Sequence, residues 1–210
     1  MQAVKKYLRE LYACQAGIAY VEFALSISLL MILFLGSVEV TRAILIVQKL
    51  EKTVTTVTDV VTQADTNTSP LTTTEMTQLM GAVTDMMSPY TAGVSDPNIV
   101  LIITDVTATG TNNSPVINWQ YCGGGTLSAT SRVGSTIGGA ATLPNSFAMT
   151  ATNNGTTQVV INEVVIGEVF YNFSPLAISR GNNMIGAIQL YKTGVYIPRL
   201  GALTSFSSHC

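Results

Sequence analysis

From Ile18 to Val38 the chain is apolar at most positions, and Glu22 is its one residue charged at neutral pH. As a helix this run is roughly 30 Å long, enough to cross a bilayer core. Backbone polar groups have no partner in lipid, so the segment is predicted to be helical. It could be a retained anchor or a signal sequence removed on export. A signal has a shorter apolar stretch and then a small-x-small site. Here the run is long and continues into Glu39-Val40-Thr41-Arg42, which favours the anchor. Lys5, Lys6 and Arg9 precede it, with Glu10 the only acid. Basic residues remain on the cytoplasmic side, so the chain after the span lies outside.

A second pattern follows without a break. Val40, Ala43, Val47, Leu50, Val54, Val57, Val61 and Ala64 alternate three-four spacings, a heptad stripe on one helix face. Gln48, Lys49, Glu51, Lys52, Thr55, Thr58 and Asp59 lie off that stripe and suit water. An amphipathic helix lying on its own domain explains the stripe, with a free coiled coil as the alternative. Thr and Val are middling helix formers, so packing has to support this part. Asn67-Thr68-Ser69-Pro70 ends it. The chain thus divides into a leader at 1–17, a span at 18–38, an amphipathic extension at 39–66 and an outer domain at 67–210.

The outer domain opens with a helix over Leu71–Ser88. Thr72-Thr73-Thr74-Glu75 has the capping-box spacing, and Met76, Leu79, Met80, Val83 and Met87 form one apolar face. That face suits core packing, and a Met-rich surface also suits a partner. Ser88-Pro89 closes the helix. Strands are predicted over Asn98–Thr107, Val116–Tyr121, Thr157–Phe173 and Ala187–Ile197, with a bulge or bend at Gly167 and a kink at Gly194. Helices followed by strands predict an α+β fold, the long helix packed on an antiparallel sheet. The stretch 123–156 is mostly Gly, Ser, Thr, Ala and Asn. It is predicted to be a long surface loop with a short turn of helix near Asn145–Thr150, either a binding surface or tolerated variation.

Composition narrows the function. Charged residues make up 10% of the chain, against about 25% in ordinary domains. The mean hydropathy is +0.39. The net charge is −2 with no basic stripe, which argues against a nucleic-acid partner. The single His, His209, leaves no hydrolytic triad, and His209-Cys210 falls short of a metal site. Gly123-Gly124-Gly125 lacks the Lys-Ser/Thr of a phosphate loop. Asp96, Asp105, Glu163 and Glu168 have no spacing that argues for paired catalysis. The expectation is a protein without enzymatic activity and without a cofactor.

At the head of the apolar run stands Gly17-Ile18-Ala19-Tyr20-Val21-Glu22-Phe23. A Gly followed at the fifth position by Glu resembles the processing site of type IV prepilins. Val21-Glu22-Phe23-Ala24-Leu25 and Leu35-Gly36-Ser37-Val38-Glu39-Val40-Thr41-Arg42-Ala43 resemble the two ends of the TadE-like segment of Tad (Flp) pilus systems. The similarity covers residues 17–60. Glu168-Val169-Phe170-Tyr171-Asn172-Phe173-Ser174-Pro175 is also similar to a late strand of TadE-like proteins. Phe23 stands where major Flp pilins usually have Tyr, and the outer domain is too large for a Flp pilin. The resemblance therefore implies a minor pilin with a pilin-like fold, cut by a prepilin peptidase between Gly17 and Ile18. Its implied partners are other pilins, the peptidase, an inner-membrane assembly platform and membrane lipid. A pseudopilin of a secretion system, or an uncleaved membrane-anchored binding or sensor domain, are the alternatives.

Glu22 has a physical reading of its own. An acid in lipid costs about 2.5–3.5 kcal/mol, less near the interface. The amine that cleavage creates on Ile18 would lie one helical turn away, and a helix N-terminus favours an anion. In a filament, as the resemblance implies, the partner would be the amine of a neighbouring subunit. The alternative is a side chain that reaches water at the headgroup level. Of the three cysteines, Cys14 lies in the leader. Cys122 and Cys210 remain outside, where an even pair predicts a disulfide.

Overall fold

The computed structural model describes residues 16–64, 71–91, 93–109, 113–144, 147–153, 156–175, 187–199, 203 and 210. They fall into two compact units that divide between Ala43 and Ile44. One helix, α1 (Ala16–Val61), contributes to both.

In the first unit, α1 is apolar and exposed on every side. Ile18, Phe23 and Phe34 are each more than 60% accessible. Among the described residues this is the one helix long and apolar enough to cross a membrane. Three of its hydroxyls bond back to the helix's own backbone. Ser28 donates to the Ala24 carbonyl at 2.7 Å, Ser37 to that of Phe34 at 2.8 Å, and Thr41 to that of Ser37 at 2.8 Å. A polar side chain satisfied by its own helix needs no water, which suits lipid.

The second unit is α+β. After α1 come α2 (Thr73–Met87), β1 (Ile99–Thr107), β2 (Val116–Gly123), β3 (Thr150–Asn153), β4 (Thr156–Val159), β5 (Glu163–Phe173) and β6 (Ile188–Tyr196). Four strands form an antiparallel sheet in the order β2-β1-β5-β6, and β3 and β4 pair as a separate ribbon. The capping box forms as expected: Thr72 Oγ1 accepts from the Glu75 amide, and Glu75 accepts from the Thr72 amide.

The C-terminal half of α1 covers one face of the sheet. Ile46, Leu50, Thr53, Val54, Val57, Thr58, Val61 and Thr62 are buried. This face is wider than the predicted stripe and displaced from it. Ile46 is buried where Val47 is only partly so, and Val40 is 60% exposed. A broad stripe is what a helix needs against a flat sheet, whereas a heptad seam fits a second helix. Nine of the ten residues from 53 to 62 are Thr or Val. Their helix propensity costs roughly 5 kcal/mol in sum against Ala. Burying Ile46, Leu50, Val54, Val57 and Val61 returns about 10 kcal/mol, so packing wins. The buried Thr58 hydroxyl bonds the Val54 carbonyl at 2.6 Å.

Gly167 and Gly194 have a different role from the one expected. They pair with each other across β5 and β6, and Gly167 also pairs with Ile103, all in regular register. Neither marks a bend. A Cβ on Gly167 would collide with Thr58 Oγ1 and come within 3.0 Å of Val54 Cγ2, and one on Gly194 would lie 3.6 Å from Thr55 Cα. The pair is the groove in which α1 rests. The irregularity lies instead in β2, where Asn118 is the extra residue opposite Asp105 and Val106.

On the same face, α2 packs by Met80 against Gly123, and Thr77 Oγ1 lies 3.0 Å from the Tyr121 hydroxyl. Lys49 of α1 donates to the Ser88 carbonyl at the end of α2.

The opposite face is covered by the segment expected to be a surface loop. Val133 and Met149 are buried with Val106, Ile117, Val164 and Ile166. Its backbone is tied down: Gly138 donates to the Ile117 carbonyl at 2.7 Å, Leu127 to Ile99 at 3.1 Å, and Thr142 to Val133 at 2.7 Å. No turn of helix forms at 147–149, and Thr150 begins β3. The predicted strand Thr157–Phe173 is two strands, broken at Val160–Asn162, because β4 pairs back with β3 while β5 enters the main sheet.

Candidate functional site

The start of α1 holds the residues singled out in the sequence. Gly17 and Ile18 lie in its first turn, with Glu22 and Phe23 in the next. A Cβ on Gly17 would meet nothing within 4 Å. Ile18 is 67% and Phe23 65% accessible. Ile18 and Glu22 are four residues apart in one continuous helix, so they share a face one turn apart. Among the described residues no cation lies within ion-pair distance of Glu22. The leader, including Cys14, lies outside the described residues. The helix start therefore presents an acid in an otherwise apolar, uncovered surface.

Cys122, at the end of β2, and Cys210 form a disulfide with Cα atoms 5.1 Å apart. It closes a separation of 88 residues, worth about 4–5 kcal/mol in the chain-entropy account. The segment leading to it is held at other points. The Arg199 amide donates to the Thr62 carbonyl at 3.1 Å, and the Arg199 guanidinium pairs with Asp59 at 2.5 Å. The Leu203 amide donates to Glu163 Oε1 at 2.9 Å. His209 lies outside the described residues. No group of three metal-ligating side chains exists among the described residues.

Two carboxylate clusters were not legible in the spacing. The first joins Asp105 of β1 to Glu163 of β5, diagonal neighbours across the β1–β5 ladder. Asp105 is fully buried. Its Oδ2 accepts from Asn118 Nδ2 at 2.8 Å, and its Oδ1 receives no donor. Burial first, and then the charge of Glu163, push the Asp105 carboxyl up to about 8. Burial and the neighbouring Glu163 both favour the neutral form of Asp105, which costs less to bury than a carboxylate with a single donor.

The second cluster centres on Glu168 of β5, which is fully buried on the sheet face away from α1. Its carboxylate accepts from the Ser131 hydroxyl, from the Arg132 amide at 3.0 Å and from the Tyr191 hydroxyl at 2.9 Å. Ser131 Oγ in turn accepts from the Val133 amide at 3.1 Å. The Arg132 guanidinium stacks on the Tyr191 ring, 3.8 Å from its centroid. Burial first, and then Glu168, push the Tyr191 phenol up to about 12, so it keeps its proton and remains a donor. Three donors on one buried carboxylate is the arrangement that makes such burial tolerable. Glu168 thereby pins the 131–133 segment to β5 and β6.

Comparison with known protein families, with characterised proteins and with solved structures gives no match.

Proposed function

We propose that this protein is a membrane-anchored minor pilin of the TadE-like kind, taking part in assembly of a Tad (Flp) pilus. The observation that carries the reading is the start of α1. An apolar helical surface exposed from Ile18 onward carries one acid, Glu22, one turn after a Gly17-Ile18 step. The inward-bonded hydroxyls of Ser28, Ser37 and Thr41 support residence in lipid. So does the absence of any other Asp, Glu, Lys, Arg or His between Ile18 and Val38. In this reading a prepilin peptidase cuts after Gly17. The leader faces the cytoplasm, the α+β unit lies outside the inner membrane, and the new Ile18 amine meets the Glu22 carboxylate of a neighbouring pilin. Phe23 and the apolar residues beyond it supply the packing surface, first against lipid and then against other subunits. An assembly platform in the inner membrane would draw the subunit from one to the other.

Glu22→Ala tests this. The substituted chain is expected to insert in the membrane at the wild-type level while pilus assembly is lost. Normal piliation with Glu22→Ala would remove the basis of the proposal and favour an uncleaved membrane-anchored binding protein.

A further inference from the structure

Beside the Glu168 cluster the 131–144 segment stands off β6 and leaves a cleft of about 290 Å³. Its walls include Arg132, Tyr191, Thr142, Thr193, Leu143 and Pro144. The size is at the lower end of small-molecule sites, which run from roughly 300 to 1,000 Å³.

One wall is set with unusual care. Arg132 is exposed, yet its position is fixed twice, by its amide on Glu168 and by its guanidinium on the Tyr191 ring. Tyr191 is fixed by its own hydroxyl on the same carboxylate. The next residues are held too, since Gln120 Nε2 donates to the Gly134 carbonyl at 2.6 Å. Glu168 does not line the cleft, and its charge is taken up by these donors. Arg132 makes no ion pair among the described residues, so its planar fork of donors remains available. A guanidinium held in place loses less entropy on binding than a free one and matches a carboxylate with two parallel hydrogen bonds. Thr142 also lines the cleft, Thr193 Oγ1 donates to the Gly167 carbonyl at 3.0 Å and so offers the cleft an acceptor only, and Leu143 and Pro144 offer an apolar surface.

We infer that this cleft binds a small carboxylate-bearing molecule about the size of one sugar ring, its carboxylate on Arg132 and its ring against Leu143 and Pro144. All its residues belong to the sheet unit, so the inference does not rest on the reading of the anchor helix.

The test uses the full chain in a sugar-free detergent, titrated with D-glucuronate and, separately, with D-glucose, by NMR. Glucuronate is expected to saturate, shifting the Thr142 and Leu143 methyl resonances, while glucose at the same concentrations does not. Arg132→Gln is expected to weaken glucuronate about tenfold or more, as loss of a charge-assisted pair does, with an unchanged Tm. Three results would overturn the inference: no saturable shift with glucuronate, equal shifts with glucose, or equal affinity in Arg132→Gln. If Arg132→Gln lowers the Tm, the wild-type shifts decide the matter, and their absence from Thr142 and Leu143 overturns the inference.

Discussion

Thr58 of α1 and Gly167 of β5 meet where no side chain larger than hydrogen fits on the strand. The Thr58 hydroxyl is turned back onto the Val54 carbonyl, which lets a polar residue sit fully buried at that contact. At this contact between helix and sheet a glycine faces a threonine, where two large apolar residues would not fit.

Gly167→Ala should therefore destabilise the sheet unit by about 1–3 kcal/mol, the usual cost of overpacking a well-filled core. Thr58→Ala in the same chain should recover part of that loss, since it removes the nearest atom but leaves Val54 Cγ2 at 3.0 Å. Thermal unfolding of the two single variants and the double variant in detergent measures the coupling. Strict additivity would mean that the contact does not exist in solution.

Asp105 sets a pH dependence. Its folded-state value, about 8, lies above the ordinary value of about 3.9 in an unfolded chain. The folded protein therefore holds a proton that the unfolded chain releases in between. The resulting stabilisation is complete below pH about 4 and is lost as the pH rises toward about 8, at no more than about 1.4 kcal/mol per pH unit. Asp105→Asn mimics the protonated acid and can keep the bond from Asn118. It should flatten the Tm between pH 5 and pH 8 and raise it above wild type at pH 8. An unchanged slope would assign the pH dependence to other groups.

Glu168→Ala would leave the Ser131, Arg132 and Tyr191 donors without their acceptor. Each buried donor so abandoned costs roughly 1–3 kcal/mol, reduced where water can enter. The 131–134 segment should loosen first. Hydrogen exchange at the Arg132 and Val133 amides is expected to accelerate well before exchange in β1. Glu168→Gln, which keeps an acceptor, should show a smaller effect. Equal protection in all three proteins would mean that Glu168 does not pin the segment.

Elements with strong local signals were legible in the sequence. The apolar run beginning at Ile18, the Thr72–Glu75 capping box and the Ile- and Val-rich run of β1 each follow from a short window of residues. What was not legible depends on partners far along the chain. Gly167 looks like a strand breaker until Thr58 is placed on it. Val133 is an isolated apolar residue in a polar stretch and Met149 ends a short Phe147-Ala148-Met149 run, and only the sheet face beneath them explains their burial. The β3–β4 hairpin did have a signal, since Asn154-Gly155 between two Thr-rich runs is a hairpin pattern, whereas the break at Val160–Asn162 had none of that kind. Asp105 and Glu163 are 58 residues apart, and Glu168 meets Ser131 and Tyr191 from opposite directions. Antiparallel register creates such clusters, and no spacing rule within a segment reveals them.

The mature N-terminus separates a processed pilin from an uncleaved anchored protein. Intact mass and terminal sequencing would be done on the protein from cells with and without their prepilin peptidase. A minor pilin is expected to start at Ile18 only when the peptidase is present, which would give Glu22 an amine of the right kind to pair with. A chain that still starts at Met1 with the peptidase active would contradict it, and the likeness to TadE-like proteins would then be one of anchor sequence alone.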